Sequence, residues 1–161
     1  MKKIVGMCVM GFVLMAASVF GATVSIPNTP VNPGTTTVQI PINIDNAAGV
    51  AGFQFTVTYD NSVLNATGAV AGSLTTGWTV MPNLTIPGEI TVGGFEPMLT
   101  ELTGGSGSIC KINFNIVGNP ADSTNLNFTV HKLTDSSGAQ ITHSITNGTF
   151  HINGYSISGK V

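Results

Sequence analysis

From Val24 onward the apolar positions of this chain recur every second residue. Val38, Ile40, Ile42 and Ile44 are separated by Gln39, Pro41 and Asn43, and Phe53, Phe55, Val57 and Tyr59 by Gln54, Thr56 and Thr58. Cys110, Ile112, Phe114 and Ile116 alternate with Lys111, Asn113 and Asn115. Leu126, Phe128 and Val130 alternate with Asn127 and Thr129, and Phe150 and Ile152 flank His151. Successive side chains on a strand point to opposite faces, so each segment has one buried and one wetted face. The inward sets are β-branched or aromatic, which suits a pleated surface. Further strands are expected near 23–26, 72–80, 89–95 and 141–145, with a single helical turn over 98–102; nothing longer has helical period.

The punctuation agrees with that reading. Asn32-Pro33-Gly34, Asn46-Ala47-Ala48-Gly49, Asp60-Asn61, Pro87-Gly88, Gly104-Gly105-Ser106-Gly107 and Asp135-Ser136-Ser137-Gly138 carry turn or loop chemistry. Short strands with wetted outer faces, about eight to ten of them, predict an all-β fold, an antiparallel β-sandwich. Pro41 occupies an outward position inside a strong strand and has no N–H for a ladder, so a sheet edge or a bulge is expected there.

The N-terminus breaks the alternation. Lys2 and Lys3 precede an apolar run from Ile4 to Phe20 that ends in small residues, among them Gly21 and Ala22. A basic start, an apolar stretch and a small-residue exit predict a secretory signal peptide over residues 1–22, cleaved after Gly21 or Ala22. The run is shorter than a membrane-spanning helix requires and contains Gly6 and Gly11. The expected product is secreted or held at a bacterial cell surface, with no membrane segment after cleavage. The sandwich domain then covers 23–152. The segment 153–161 (NGYSISGKV) reads as a terminal strand or as the start of a following domain.

Composition narrows the functions. Only 7% of the 161 residues are charged, and the formal net charge is -2. Without Lys2 and Lys3 the chain keeps three Lys against seven acids, a net of -4. Nucleic-acid binding is excluded on this reading, because neutralising phosphates needs a dense basic patch. Removal of the leader also removes Cys8 and leaves Cys110 alone, so no internal disulfide is available. Four N-x-S/T sequons begin at Asn65, Asn83, Asn127 and Asn147; they matter where the host glycosylates.

No catalytic or metal-binding pattern emerges. His131, His143 and His151 fall in separate strands and turns without H-E-x-x-H or C-x-x-C spacing, and read as exposed strand histidines. Glu96 and Glu101 lie five residues apart in a loop, which sets no paired-carboxylate geometry. No Ser sits in G-x-S-x-G, and Cys110 has inward parity, where a thiol behaves as a small hydrophobe. The glycines of 104–107 open no helix, and EF-hand calcium ligands are absent. Trp78 and Tyr59 share parity with core positions, which argues against an aromatic sugar-binding platform. The expectation is a chain with no cofactor, no metal and no turnover.

A set of short motifs points further. Pro33-Gly34 is followed by Thr37-Val38-Gln39-Ile40-Pro41-Ile42, then Gly49-Val50-Ala51-Gly52-Phe53-Gln54-Phe55, Tyr59-Asp60 and Ser62-Val63-Leu64. Gly72-Ser73-Leu74 with Gly77-Trp78 comes next. Gly107-Ser108-Ile109-Cys110-Lys111-Ile112-Asn113-Phe114 and Asn147-Gly148-Thr149-Phe150-His151-Ile152 complete the series. From Val24 to Ile152 the chain resembles a bacterial cohesin domain, the receptor module of cellulosomal scaffolding proteins. The resemblance implies a nine-stranded jelly-roll sandwich, shared with some carbohydrate-binding modules. It implies a non-catalytic partner for a dockerin-like module, with any calcium carried by that partner. A polysaccharide, bound as by a carbohydrate-binding module, is the alternative ligand.

In cohesins the flat outer face of one sheet receives a dockerin helix. The resemblance builds that face here from 52–59, 73–80, 89–95 and 109–117. Parity then makes Gln54, Thr56, Thr58, Thr91, Gly93, Phe95, Ile109, Lys111 and Asn113 the candidate partner-binding residues. Phe95 follows Gly93-Gly94, where a bulge would return it to the core; both placements are open at this point. The chain departs from better-known dockerin receptors in having no charge over 52–58 and Lys111 as the only charge on the expected face. Weak steering follows, with affinity resting on shape, amides and apolar anchors such as Ile109.

Overall fold

The computed structural model describes residues 21–155. The predicted leader, apart from its last two residues, and most of the segment after Ile152 lie outside the described residues. Eleven strand segments are present: β1 (Ala22–Ser25), β2 (Thr29–Val31), β3 (Thr37–Ile44), β4 (Gly52–Thr58), β5 (Leu64–Ala71), β6 (Thr79–Asn83), β7 (Glu89–Phe95), β8 (Gly107–Ile116), β9 (Ser123–Thr134), β10 (His143–Thr146) and β11 (Gly148–Ile152). They form two sheets, ordered β10-β1-β3-β8-β5 and β2-β11-β9-β4-β7-β6. The chain passes from one sheet to the other at almost every connection. Only β6 and β7 are consecutive within a sheet, which is the winding of a jelly roll.

The first and last strands each split between the two layers. β1 pairs with β10 in one sheet and β2 with β11 in the other, and both pairings are parallel. Counting each split strand once reduces the eleven segments to nine. The expectation of antiparallel pairing throughout is corrected at these two places: both sheets are mixed, with one parallel pair each. At the crossing the two segments run very close together. A Cβ on Gly148 would sit 2.5 Å from the Ile26 carbonyl oxygen and 2.8 Å from that of Pro27, both rigid backbone.

The core lies between the sheets. Val24, Ile40, Ile42, Leu64, Ile112 and Phe114 from one layer meet Phe53, Phe55, Val57, Ile90, Val92, Leu126, Leu133 and Phe150 from the other, all nearly or wholly buried. Burial of each such side chain contributes roughly 1.5–3 kcal/mol. Phe53 stacks on Phe55 with ring centroids 5.3 Å apart. Phe55 leans on Phe128 at 5.7 Å. Tyr59 meets Phe114 edge-on at 5.1 Å and accepts the Ala66 N–H at its hydroxyl oxygen. Trp78 stacks on Phe53 at 6.3 Å and, like Tyr59, is partly buried against the core.

Three local expectations change. The stretch 72–78 is a loop and not a strand, because the Thr75 hydroxyl accepts the Gly72 N–H and donates to the Ile109 carbonyl, and Gly77 has φ +87°. The predicted helical turn is instead a tight turn in which the Leu99 N–H donates to the Glu96 carbonyl at 3.0 Å. β5 was not anticipated: its Asn-Ala-Thr-Gly-Ala run is small and polar, and a register shift between Ala66 and Gly68 interrupts its alternation. Pro41 follows expectation in a less simple way. β3 is interior by order, yet β1 reaches only Asn43 and Ile44, so Pro41 has β8 on one side and no strand on the other.

Candidate functional site

Each sheet turns one face outward. On the β9-β4-β7-β6 portion the register aligns outward side chains in rows across the strands. Thr134, Gly52, Phe95 and Thr79 form the first row, and Lys132, Gln54, Gly93 and Met81 the second. Val130, Thr56, Thr91 and Asn83 form the third, and Asn127, Thr58 and Glu89 the fourth. Lys132 and Glu89 are the only charged groups in these rows. Gly52 and Gly93 leave low ground beside Phe95 and Met81, which are 39% and 55% exposed.

The predicted partner-binding residues do not all reach this face. Gln54, Thr58, Thr91, Gly93 and Phe95 do. β4 and β7 pair without a register shift from Gly52↔Phe95 to Thr58↔Glu89, so no bulge intervenes and Phe95 stays outward. Thr56 has outward parity but is only 5% exposed, and its hydroxyl is bonded to that of Thr91 at 2.8 Å. Val130 and Thr91 flank it on the neighbouring strands and shut it in.

Ile109, Lys111 and Asn113 require correction. Their strand, β8, belongs to the other sheet, between β3 and β5, so they cannot share a surface with Gln54. Lys111 and Asn113 do face outward there, half-buried; the Asn113 side-chain oxygen accepts a bond from Gln39 Nε2 at 2.8 Å. Ile109 is wholly buried. Ile42 pairs with Cys110 and Asn43 with Ser108, which leaves Ile109 as the extra residue of a bulge and turns it into the core. Alternation reveals faces within a strand but not which sheet a strand joins.

The fourth strand of the face is β9, and β6 supplies its outer edge. Lys132, Val130, Thr134 and Met81 were missed by sequence reasoning for that reason. One signal was available. Leu126 and Phe128 are inward at even numbers and Leu133 at an odd one, so the alternation slips between them. The structure places the slip between Thr56↔Val130 and Val57↔Phe128, with Thr129 as the additional residue. Val130, read as inward, therefore points out.

Both ends of the face are shaped. At one, Thr58, Tyr59, Asp60, Ser123, Thr124, Asn125 and Asn127 line a shallow polar depression of about 370 Å³. The Ser62 hydroxyl and N–H donate to the Asp60 carboxylate and hold it below its ordinary pKa. At the other end Phe95 leads into the turn of 96–100. Met98 is 83% exposed and Leu99 54%, and Leu99 has φ +55°. That left-handed conformation costs a residue with a Cβ roughly 1–2 kcal/mol. The turn is well fastened. The Glu96 N–H donates to Ala51, the Thr100 N–H to the Glu96 carboxylate, and the Leu102 N–H to Val50. Glu101 accepts from the Ser136 N–H and hydroxyl, which lowers its pKa and ties the loop to 135–139.

The remaining ionisable groups assemble no reaction centre among the described residues. Glu96 and Glu101 brace loops, as just described. His131 and His143 are not the separate exposed pair expected: their rings meet at 84° with Nδ1 and Nε2 3.0 Å apart, joining the two sheets, while His143 Nδ1 donates to the Ile141 carbonyl. His151 stands apart and exposed. No group of three or more metal-ligating side chains occurs among the described residues. Burial pushes the Cys110 thiol well above its ordinary pKa, so its nucleophilic thiolate form is suppressed.

A family model described as "Cohesin domain" matches residues 22–152. No curated protein matches the chain. Among solved structures, a non-cellulosomal cohesin from the archaeon Archaeoglobus fulgidus superposes with a TM-score of 0.69 at 24% identity, covering 82% of this chain and 91% of that one. The sixth cohesin of scaffoldin B from Acetivibrio cellulolyticus, solved with a mutant Cel5 dockerin, gives 0.70 at 24% identity over 83% and 99%. An OlpA cohesin–dockerin complex from Clostridium thermocellum gives 0.71 at 18% identity over 82% and 99%.

Proposed function

The chain belongs to the cohesin domain family, and on that premise we propose that it is a non-catalytic receptor whose β9-β4-β7-β6 face binds a dockerin-type module. The observation that carries this reading is the face itself. Its rows are almost uncharged, Gly52 and Gly93 leave low ground within them, and Phe95 and Met81 stand exposed in the same rows. The backbone groups of β4 and, from Thr91 to Phe95, of β7 are paired on both sides, so a partner lying on this face is held by side chains and shape. Cohesin–dockerin complexes among the similar structures support the choice of partner. The setting we propose is extracellular, after removal of the leader, in a polysaccharide-degrading or cell-surface assembly.

The test is capture by immobilised mature domain of calcium-loaded dockerins, including those encoded in the same genome. Specific retention is the expected result. Calcium is proposed to belong to the partner, so a chelator abolishes capture and leaves the melting temperature of this domain unchanged. Failure to retain any dockerin, together with retardation of the domain in cellulose, xylan or chitin gels, would replace this reading with a carbohydrate-binding one.

A further inference from the structure

Two non-glycine residues among those described have positive φ, Leu99 and Ala121. Ala121 has an evident structural role: it is small, and its N–H donates to the Ile152 carbonyl, tying a tight turn to the last strand. The Leu99 N–H closes only its own turn, on the Glu96 carbonyl, and its side chain is large. Its branched side chain is 54% exposed beside Met98, which is 83% exposed, so neither contributes much to the core. Glycine would keep the same turn without strain. The turn is nonetheless pinned by bonds from Glu96 to Ala51, Thr100 to Glu96, Leu102 to Val50 and Ser136 to Glu101. A rigid support thus displays two apolar side chains that the fold does not use, directly after the outward Phe95.

We infer that Phe95, Met98 and Leu99 form the apolar anchor of the docking face, and that the partner meets them with an apolar side-chain cluster of its own. This inference rests on the dockerin reading above and assigns that module as the occupant. Charge supports it: with Lys132 and Glu89 as the only charged residues in the rows, electrostatic attraction has little to act on, and apolar contact must discriminate between partners. Met81, across Gly93, extends the apolar ground along the same face. Strained residues cluster at ligand clamps and other binding sites, held there by the structure around them, and Leu99 is held in that way.

The experiment measures affinity for the captured calcium-loaded dockerin, and urea midpoints, for the wild type, Leu99→Gly, Met98→Ser and Gln54→Arg. Leu99→Gly is expected to hold or raise the midpoint while weakening binding about tenfold or more, and Met98→Ser to weaken binding similarly. Affinity of the wild type is expected to change less than about threefold between low and high salt. Wild-type affinity in both turn variants, with binding lost in Gln54→Arg, overturns the anchor and leaves the docking face standing. Wild-type affinity in Gln54→Arg as well overturns both.

Discussion

Gly93 and Gly94 are neighbours on β7 that the register sends to opposite sides of the sheet, and the same substitution at each has opposite consequences. A Cβ on Gly94 enters the van der Waals envelope of the Phe53 ring, with Cε2 at 3.2 Å and two further ring atoms nearer still. The ring must withdraw by roughly 1 Å to reach ordinary contact. It is itself stacked between Phe55 and Trp78, at 5.3 and 6.3 Å. Overpacking of this kind costs about 1–3 kcal/mol, offset by about 0.5 kcal/mol from lost freedom of the unfolded chain. Gly94→Ala is therefore expected to destabilise by about 1–2 kcal/mol. Unfolding entropy of about 0.28 kcal/mol per kelvin for a domain of this size converts that to a melting temperature lower by about 4–7 °C. A Cβ on Gly93 meets nothing closer than the Phe53 carbonyl oxygen at 4.0 Å. Gly93→Ala should stabilise by about 0.5 kcal/mol, near 2 °C. Urea titrations followed by fluorescence of Trp78, the single tryptophan of the chain, report both. A neutral Gly94→Ala beside a Gly93→Ala that loses about 1 kcal/mol or more would refute the reasoning, since the register would then be displaced by one residue and every outward assignment with it.

Three other outcomes follow from the same structure. Cys110 is wholly buried with its thiol pKa raised, so Ellman's reagent should modify it only as fast as the domain unfolds; prompt labelling of the native protein would contradict that. Asp45, Asp60, Glu101 and Asp135 have pKa values lowered by bonds from Thr23, Ser62, Ser136 and Ser137 respectively. Each favours the folded state above the ordinary carboxylate pKa and loses that contribution as pH falls through its lowered value, so melting temperature should decline as pH falls below about 4; a rise over that range would contradict the linkage. On the opposite sheet, Lys111→Glu and Asn113→Asp should alter dockerin affinity less than about twofold, and a tenfold loss by titration calorimetry would count against the chosen face.

Much of the fold was legible because period-two alternation is a direct consequence of strand geometry. The inward sets of β3, β4 and β8 hold residue for residue, Ile109 excepted. What failed was anything that alternation does not encode. Sheet membership is one case: β8 reads like β4 in isolation, and only the order of the layers separates Lys111 from Gln54. Bulges are another, since a single extra residue at Ile109 and at Thr129 reverses parity for everything beyond or beside it. The parallel pairing of β1 with β10 joins segments some 120 residues apart, beyond the reach of local patterning. The turn at 96–100 was legible as a loop, but its strain at Leu99 depends on a backbone angle that sequence does not show.

The central claim is that the partner lies on the β9-β4-β7-β6 face. Backbone amide shifts of the labelled domain, recorded by NMR with and without a calcium-loaded dockerin it retains, test this most directly. The account predicts perturbations concentrated at Gln54, Thr91, Gly93, Phe95, Met98, Leu99, Met81 and Lys132, with Gln39, Lys111, Asn113 and Asn115 unmoved. Perturbations centred on the β3-β8-β5 face would contradict it.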